Sequence, residues 1–116
     1  MNNQLYAPPE YINASANTRM QICNGCGAAG AKFDFVPDNI WGLKISEACN
    51  IHDWMYFYAK PNNKDKEKCD RIFLHNLLRL VEIKGGWLKR PRRQRAWFYF
   101  KMVQKFGGTA FWEGKN

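Results

Sequence analysis

A histidine and an aspartate are neighbours at His52 and Asp53, within the sequence EACNIHDWMY at residues 47–56. Adjacent residues on a helix point about 100° apart, so this pair predicts two separate roles on two neighbouring faces. Asp70 follows Pro61 at the same distance as His52 precedes it. A carboxylate opposite an imidazole fixes the ring tautomer and stabilises its protonated form, so His52 and Asp70 are predicted to form a general base that activates water.

A glycine-rich segment, CNGCGAAG at residues 23–30, precedes this pair. The backbone carbonyls of such a loop can turn inward around a hard cation, and calcium accepts carbonyl oxygens together with a carboxylate. Asp53 lies on the helix face next to that of His52 and can supply the carboxylate. The sequence therefore predicts a calcium ion beside His52.

Three helices are predicted to position these residues. Apolar residues recur at spacings of three and four from Ser46 to Pro61 and again from Asn63 to Gly85, and a third helix is expected after Pro91. The connection between the first two helices is short, so they are predicted to pack antiparallel. The predicted fold class is mostly α: two antiparallel helices that carry the site, a third basic helix and a glycine-rich N-terminal loop.

The chain of 116 residues is long enough for one compact domain, and its 5 Trp, 5 Tyr and 8 Phe favour a packed core over disorder. Residues 1–20 are polar and are predicted to form an N-terminal arm, and residues 21–116 are predicted to form the single domain. No run of 18 apolar residues is present, so no transmembrane segment is predicted. The N-terminus lacks an apolar core, so no signal peptide is predicted.

The net charge of +8 comes from one part of the chain, residues 84–105, which holds eight basic residues and no acidic residue. A localised basic face favours an anionic partner such as lipid head groups, nucleic acid or an acidic protein. The alternative interpretation is a solvated helix face that keeps the protein in solution.

These motifs together resemble the phospholipase A2 family. ACNIHDWMY looks like the family's active-site helix, C-x-x-H-D-x-x-Y, and CDRIF at residues 69–73 is similar to the Cys-Asp-Arg segment of its partner helix. NGCGAAG resembles a shortened form of the calcium loop. The resemblance covers residues 22–80 and is greatest for the small bacterial, fungal and phage members of the family.

The resemblance implies an enzyme that uses calcium to hydrolyse the sn-2 ester of glycerophospholipids, and so a role in lipid degradation. Ala28 and Ala29 stand where the family usually has glycine, which leaves the register of the loop carbonyls open, with Gly30 as the alternative ligand if the register shifts by one. The implied residues are His52 as the base that activates water, Asp70 and Tyr56 as its supporting network, Asp53 and the carbonyls of Gly25, Gly27 and Ala29 as calcium ligands, and Cys26 and Cys49 as a disulfide between loop and helix.

A phospholipase needs a membrane surface, and the basic segment is predicted to dock on an anionic bilayer. The loops at residues 31–43 are expected to form an exposed apolar rim, with Phe33, Phe35, Ile40, Trp41 and Leu43 as its members. A disulfide suits an oxidising compartment, so the expected location is extracellular or at a target envelope reached by lysis, a phage particle or a secretion machine. The membrane-binding candidates are Arg90, Arg92, Arg93, Arg95 and Trp41.

Two other functions use the same residues. Cys23, Cys26, Cys49 and His52 have the spacing of structural zinc ligands, in which case the basic aromatic segment would be a nucleic-acid surface. The chain could also have the phospholipase fold and bind a partner or membrane without catalysis. The pairing of Cys23 and Cys69 stays open, since four cysteines allow three connectivities.

Overall fold

The computed structural model of the chain describes residues 5–23 and 39–112, and this part is mostly helical with one small β-hairpin. The predicted mostly α class is therefore confirmed. The elements in chain order are α1 (Pro9–Asn13), α2 (Ala16–Ile22), β1 (Asn39–Ile40), β2 (Leu43–Lys44), α3 (Ser46–Tyr58), α4 (Asn63–Lys84), α5 (Lys89–Phe106) and α6 (Gly108–Trp112).

The pair formed by α3 and α4 is antiparallel, as the short connection predicts. Residues close to the connection contact each other, since the Lys60 amide donates to Asp65. Residues farther from the connection on both sides also contact each other, since His52 bonds to Asp70. Asn62 caps the start of α4 by accepting a hydrogen bond from the Asp65 amide at 2.7 Å. At the other end Gly85 adopts φ 63, a conformation that glycine takes without steric cost, and stops the helix.

The third helix, α5, begins at Lys89, slightly earlier than predicted. Pro91 falls in its first turn, where a missing amide donor costs no intrahelical hydrogen bond. The helix ends at Gly107, as the sequence indicates, and α6 follows at once. Helix α5 packs mainly against α4, so the basic segment has one buried side and one solvent side.

The described residues 5–20 of the predicted N-terminal arm include α1 and most of α2, and they contact α3. Leu5 and Tyr11 are buried against α3, and the Tyr11 ring meets Trp54 edge-on with centroids 5.4 Å apart. Ser15 starts α2 by accepting a hydrogen bond from the Thr18 amide at 3.1 Å. The segment is polar in composition, but the buried side chains of Leu5 and Tyr11 and the Ser15 cap stabilise its folded conformation.

The hairpin of β1 and β2 is antiparallel, with Asn39 opposite Lys44 and Ile40 opposite Leu43. Its two-residue turn puts Trp41 at φ 45 and Gly42 at φ 86. Ile40 and Leu43 share the face that meets the core and are buried, so they do not form the predicted exposed rim. Trp41 at the tip is 49% exposed.

The main core lies between α3, α4, α5 and the hairpin, and α6 closes it. None of the described helices is both long and apolar enough to cross a membrane. Fully buried members of the core include Ile45, Leu77, Val81, Val103 and Phe111.

Candidate active site

The centre of the site is a contact between His52 on α3 and Asp70 on α4. Nε2 of His52 lies 2.8 Å from Oδ1 of Asp70, and both side chains are 1% exposed. The prediction that the two residues reach the same height on facing helices is confirmed. Because the pair is buried, the hydrogen bond acts without competition from solvent and holds the imidazole in one orientation.

Tyr56 supplies a second hydrogen bond to the same carboxylate oxygen. It follows His52 by one helical turn, and its hydroxyl donates to Oδ1 of Asp70 at 2.5 Å. Burial, followed by the negative charge and hydrogen bond of Asp70, raises the pKa of Tyr56 far above its ordinary value. The hydroxyl therefore stays protonated and acts only as a donor to Asp70.

The other oxygen of Asp70 binds a lysine that the sequence analysis missed. Nζ of Lys66, one turn earlier on α4, donates to Oδ2 of Asp70 at 2.8 Å. The same ammonium donates to the carbonyls of Val103 and Gln104 on α5, each at 3.2 Å. A Lys-Asp spacing of four residues is the one signal in the sequence, and it is common on exposed helices.

Opposing effects act on the pKa of the Asp70 carboxyl group. Burial raises its pKa, but the hydrogen bond and positive charge of His52, together with the hydrogen bonds of Lys66 and Tyr56, outweigh burial. The net pKa of Asp70 lies below its ordinary value of 3.8. Asp70 is therefore a carboxylate at neutral pH and can stabilise a protonated imidazole.

Aromatic rings surround the imidazole. Phe73 stacks on His52 with ring centroids 4.6 Å apart and an interplanar angle of 23°, and the Tyr56 ring lies 4.2 Å away. Nδ1 of His52, the ring nitrogen that does not face Asp70, is also buried. The ring is thus held on its faces by aromatic side chains and on one edge by Asp70.

Gly107 is part of the site for a steric reason. A Cβ atom at this position would lie 2.8 Å from the hydroxyl oxygen of Tyr56 and would also collide with the carbonyl of Val103. Only glycine lets the end of α5 approach the Tyr56 hydroxyl this closely. The sequence pattern predicts the end of a helix at Gly107 but does not predict its contact with Tyr56.

The burial of Asp53 agrees with its predicted role as a cation ligand. Its side chain is 1% exposed and its Oδ1 atom is buried, which suits a carboxylate that binds a hard cation. Within residues 5–23 and 39–112, no cluster of three or more His, Cys, Asp or Glu side chains could hold a metal ion. The predicted carbonyl ligands Gly25, Gly27 and Ala29 lie outside the described residues.

The cysteines divide into two kinds. Cys49 on α3 is disulfide-bonded and buried. Its predicted partner Cys26 lies outside the described residues, so that pairing stays a prediction. Cys23 and Cys69 are thiols and do not pair with each other, and the Cys23 thiol donates to the carbonyl of Asn50 at 3.2 Å.

The membrane-binding candidates do not share one environment. Arg92 is 6% exposed, and its guanidinium donates to the carbonyls of Ile40 and Trp41 in the hairpin, so it does not belong to a membrane-facing set. It was misassigned because the helical period alone does not show which basic side of α5 faces the hairpin. Arg90 and Arg93 are exposed, and Arg93 lies 3.8 Å from Glu82.

Arg95 joins the exposed aromatic residues of this region. Its guanidinium lies 5.4 Å from the centroid of Trp41 and 5.6 Å from that of Phe98. Trp41, Trp97 and Phe98 are each close to half exposed. The surface around the hairpin tip and α5 therefore combines indole and phenyl rings with cations.

No protein-family model, curated protein or solved structure matches this chain significantly.

Proposed function

We propose that this protein is a calcium-dependent, phospholipase A2-like hydrolase that cleaves the sn-2 ester of glycerophospholipids at a membrane surface. The observation that carries the proposal is the buried arrangement in which His52 and Tyr56 of α3 both bind Oδ1 of Asp70 on α4. Buried histidine–carboxylate pairs of this kind are typical of general-base catalysis.

The proposed chemistry assigns a separate task to each nitrogen of His52. Asp70 accepts the Nε2 proton, which leaves Nδ1 as the basic nitrogen of the neutral ring. Nδ1 takes a proton from a water molecule while the water oxygen attacks the ester carbonyl. The same proton then passes to the leaving alcohol oxygen, so the products are a fatty acid and a lysophospholipid.

Asp70 and Tyr56 support this cycle without touching the ester. The charge of Asp70 stabilises the imidazolium that forms when His52 takes the proton. Tyr56 remains a donor throughout, because its raised pKa keeps the hydroxyl protonated. The stack of Phe73 on the ring resists rotation of the imidazole between the two proton transfers.

The cation would be held by Asp53 and by main-chain carbonyls of the glycine-rich loop, for which Gly25, Gly27 and Ala29 are the candidates. The buried Asp53 carboxylate directly follows the proposed base in the chain, so a cation bound there lies close to the chemistry. When bound, calcium supplies positive charge that stabilises the developing oxyanion and the substrate phosphate.

The membrane partner is proposed to be an anionic bilayer. The exposed aromatic side chains Trp41, Trp97 and Phe98 lie among cations of α5, and indole rings favour the interface between water and lipid. Trp41 at the hairpin tip also adopts φ 45, an unfavourable conformation for a bulky residue, and is 49% exposed. A disulfide-bonded enzyme that needs calcium suits an extracellular or envelope location.

The zinc-binding alternative has less support from the same residues. A zinc site of this type needs Cys49 as a thiolate and a ring nitrogen of His52 as ligand. Cys49 is disulfide-bonded, and Nε2 of His52 is used by Asp70. We therefore favour the hydrolase.

The test is the release of labelled fatty acid from vesicles that mix zwitterionic and anionic phospholipids, with calcium and with EDTA. We expect calcium-dependent release from the sn-2 position, and a fall of about 10²- to 10⁴-fold in His52→Ala, the range for a lost general base. His75→Ala is the matched control, because His75 is an exposed histidine on α4.

The same assay separates the alternatives. Full activity in His52→Ala, with the thermal unfolding curve unchanged, would exclude the proposed mechanism. If EDTA instead unfolds the protein, and zinc but not calcium restores the fold, the zinc-binding module is the better description.

A further inference from the structure

The ammonium of Lys66 has its three donors matched by three acceptors in the protein. They are Oδ2 of Asp70 at 2.8 Å and the carbonyls of Val103 and Gln104 at 3.2 Å each. The side chain is only 12% exposed. A lysine held in this way loses side-chain entropy and hydration, and its contacts must offset that loss.

The two oxygens of Asp70 are divided between different partners. Oδ1 receives both donors from α3, His52 and Tyr56, and Oδ2 receives Lys66. Rotation of the carboxylate about its terminal bond by less than a half-turn would move Oδ1 away from both donors of α3. The donor on Oδ2 opposes this rotation, so Lys66 helps to fix the direction in which Oδ1 points.

We propose that Lys66 is a positioning residue that orients Asp70 toward His52, keeps it ionised and ties this orientation to the end of α5. The inference rests on the proposed function, since it assigns Lys66 a part in the same reaction. Residue 66 lies in none of the motifs that carry the resemblance to phospholipases, and the assignment comes from the contacts alone.

The charge of Lys66 has a chemical consequence. If Asp70 took the proton from the imidazolium, the charge balance that stabilises the transition state would be lost. A positive ammonium 2.8 Å from Oδ2 makes the carboxylate less basic and disfavours that transfer. Lys66 thereby keeps the proton on His52 until the leaving group takes it.

The contacts of Lys66 also connect the carboxylate to α5. Val103 and Gln104 belong to the last turn of α5, and Gly107 follows them against the Tyr56 hydroxyl. Besides His52, Asp70 has two donors, Tyr56 and Lys66. Both of them therefore depend on the position of this turn. An open groove of about 520 Å³ borders Lys66 and Asp70, with Lys101 and Lys105 of α5 in its wall.

The first test compares Lys66→Met, which keeps the length of the chain without the charge, with Lys66→Arg, which keeps the charge. We expect Lys66→Met to lower kcat by about 10- to 100-fold with little change in KM, as is typical for loss of an orienting partner. Lys66→Arg should recover a large part of kcat. Lys64→Met is the matched control, since Lys64 is an exposed lysine in the first turn of the same helix.

The second test measures acid unfolding and needs no activity. Asp70 has a lowered pKa, so the stabilisation it provides is present above its ordinary value of 3.8 and is lost as the pH falls through the lowered value. Removing Lys66 should move the acid-unfolding midpoint to higher pH. In an Asp70→Asn background the same change should not move the midpoint to higher pH, because no carboxylate is left whose pKa Lys66 could lower.

The charged and titratable groups around Asp70 must be held constant in that comparison. Among the described residues they include His52 and Tyr56 from α3, Lys66 and Glu67 from α4, and Lys101 and Lys105 from α5.

The outcomes distinguish this inference from the proposed function. A wild-type protein that releases no fatty acid overturns the proposed function and, with it, the catalytic part of the inference. Active wild type together with an equally active Lys66→Met overturns the inference alone. Equal loss in Lys66→Met and Lys66→Arg, or equal acid shifts with and without Asp70, would reduce Lys66 to a packing role and also overturn it.

Discussion

Two ion pairs on α4 have the same spacing and opposite surroundings. Lys66 and Asp70 are four residues apart, and so are Glu67 and Arg71, with pair distances of 2.8 Å and 3.0 Å. The first pair has side-chain exposures of 12% and 1%, and the second has exposures of 57% for Glu67 and 68% for Arg71. Spacing and distance therefore do not distinguish a site residue from a surface residue on this helix.

The difference lies in what else each pair touches. Asp70 is bound from α3 by His52 and Tyr56, and Lys66 is bound to the end of α5. Within the described part of the chain, Glu67 and Arg71 bond to each other at the exposed surface of α4. An exposed pair contributes little to stability, whereas removing one member of a buried pair leaves the other uncompensated.

The largest expected effect comes from neutralising the carboxylate of each pair. Asp70→Asn should lower the free energy of unfolding by about 3–5 kcal/mol, because Lys66 then lacks its charge partner in a buried setting. Glu67→Gln should change it by less than about 0.5 kcal/mol. Urea unfolding of both variants measures the difference.

Activity should follow the same order as stability. Fatty-acid release is expected to fall by about 10²- to 10⁴-fold in Asp70→Asn, since His52 loses the partner that fixes its tautomer, and to stay at the wild-type level in Glu67→Gln. Similar losses of unfolding free energy in Asp70→Asn and Glu67→Gln would show that burial does not distinguish the two ion pairs.

An intermediate effect is expected from the two glycines after α5. Gly107→Ala should cost about 1–3 kcal/mol of stability, the range for overpacking, because its Cβ meets the Tyr56 hydroxyl and displaces it from Asp70. Gly108→Ala is the matched control, since the nearest atom to its Cβ is Cδ1 of Trp112 at 4.0 Å.

Thermal unfolding and fatty-acid release report the two consequences of Gly107→Ala separately. We expect both to fall in this variant and neither to change much in Gly108→Ala. A stable but inactive Gly107→Ala would indicate that the position of Tyr56 matters more for catalysis than for the fold.

The smallest effect is expected from two arginines in the first turn of α5. Arg92→Met should cost about 1–2 kcal/mol of stability, because the hairpin carbonyls lose a charged donor and recover only part of it from water. Arg90→Met should leave stability unchanged, since Arg90 is exposed.

Vesicle binding should show the reverse order for these arginines. An exposed cation near an anionic surface contributes about 1 kcal/mol, so Arg90→Met should weaken binding to anionic vesicles about fivefold. Arg92→Met should affect binding only through the hairpin and Trp41. Sedimentation with anionic and zwitterionic vesicles checks this, and unchanged binding in Arg90→Met would argue against the proposed membrane face.

Part of the fold and site followed from local sequence patterns. The bounds of α3 and α4 follow from apolar spacing, from Asn62 and from Gly85, which act within a few residues of each other. Once those helices are antiparallel, equal distances from Pro61 bring His52 and Asp70 together. The N-terminal helices were missed, because the burial of Leu5 and Tyr11 depends on α3, far along the chain.

The sequence by itself determined α3, α4 and α5, the antiparallel pairing of α3 and α4, and the meeting of His52 and Asp70, and the resemblance implied Tyr56 beside them. Only the tertiary structure decided which of the charged residues are buried. Lys66 meets the carbonyl of Val103, 37 residues away, and Arg92 meets that of Ile40, 52 residues away. The packing of α5 selects these residues, and a spacing of three or four along one helix carries no information about a partner so distant in the chain.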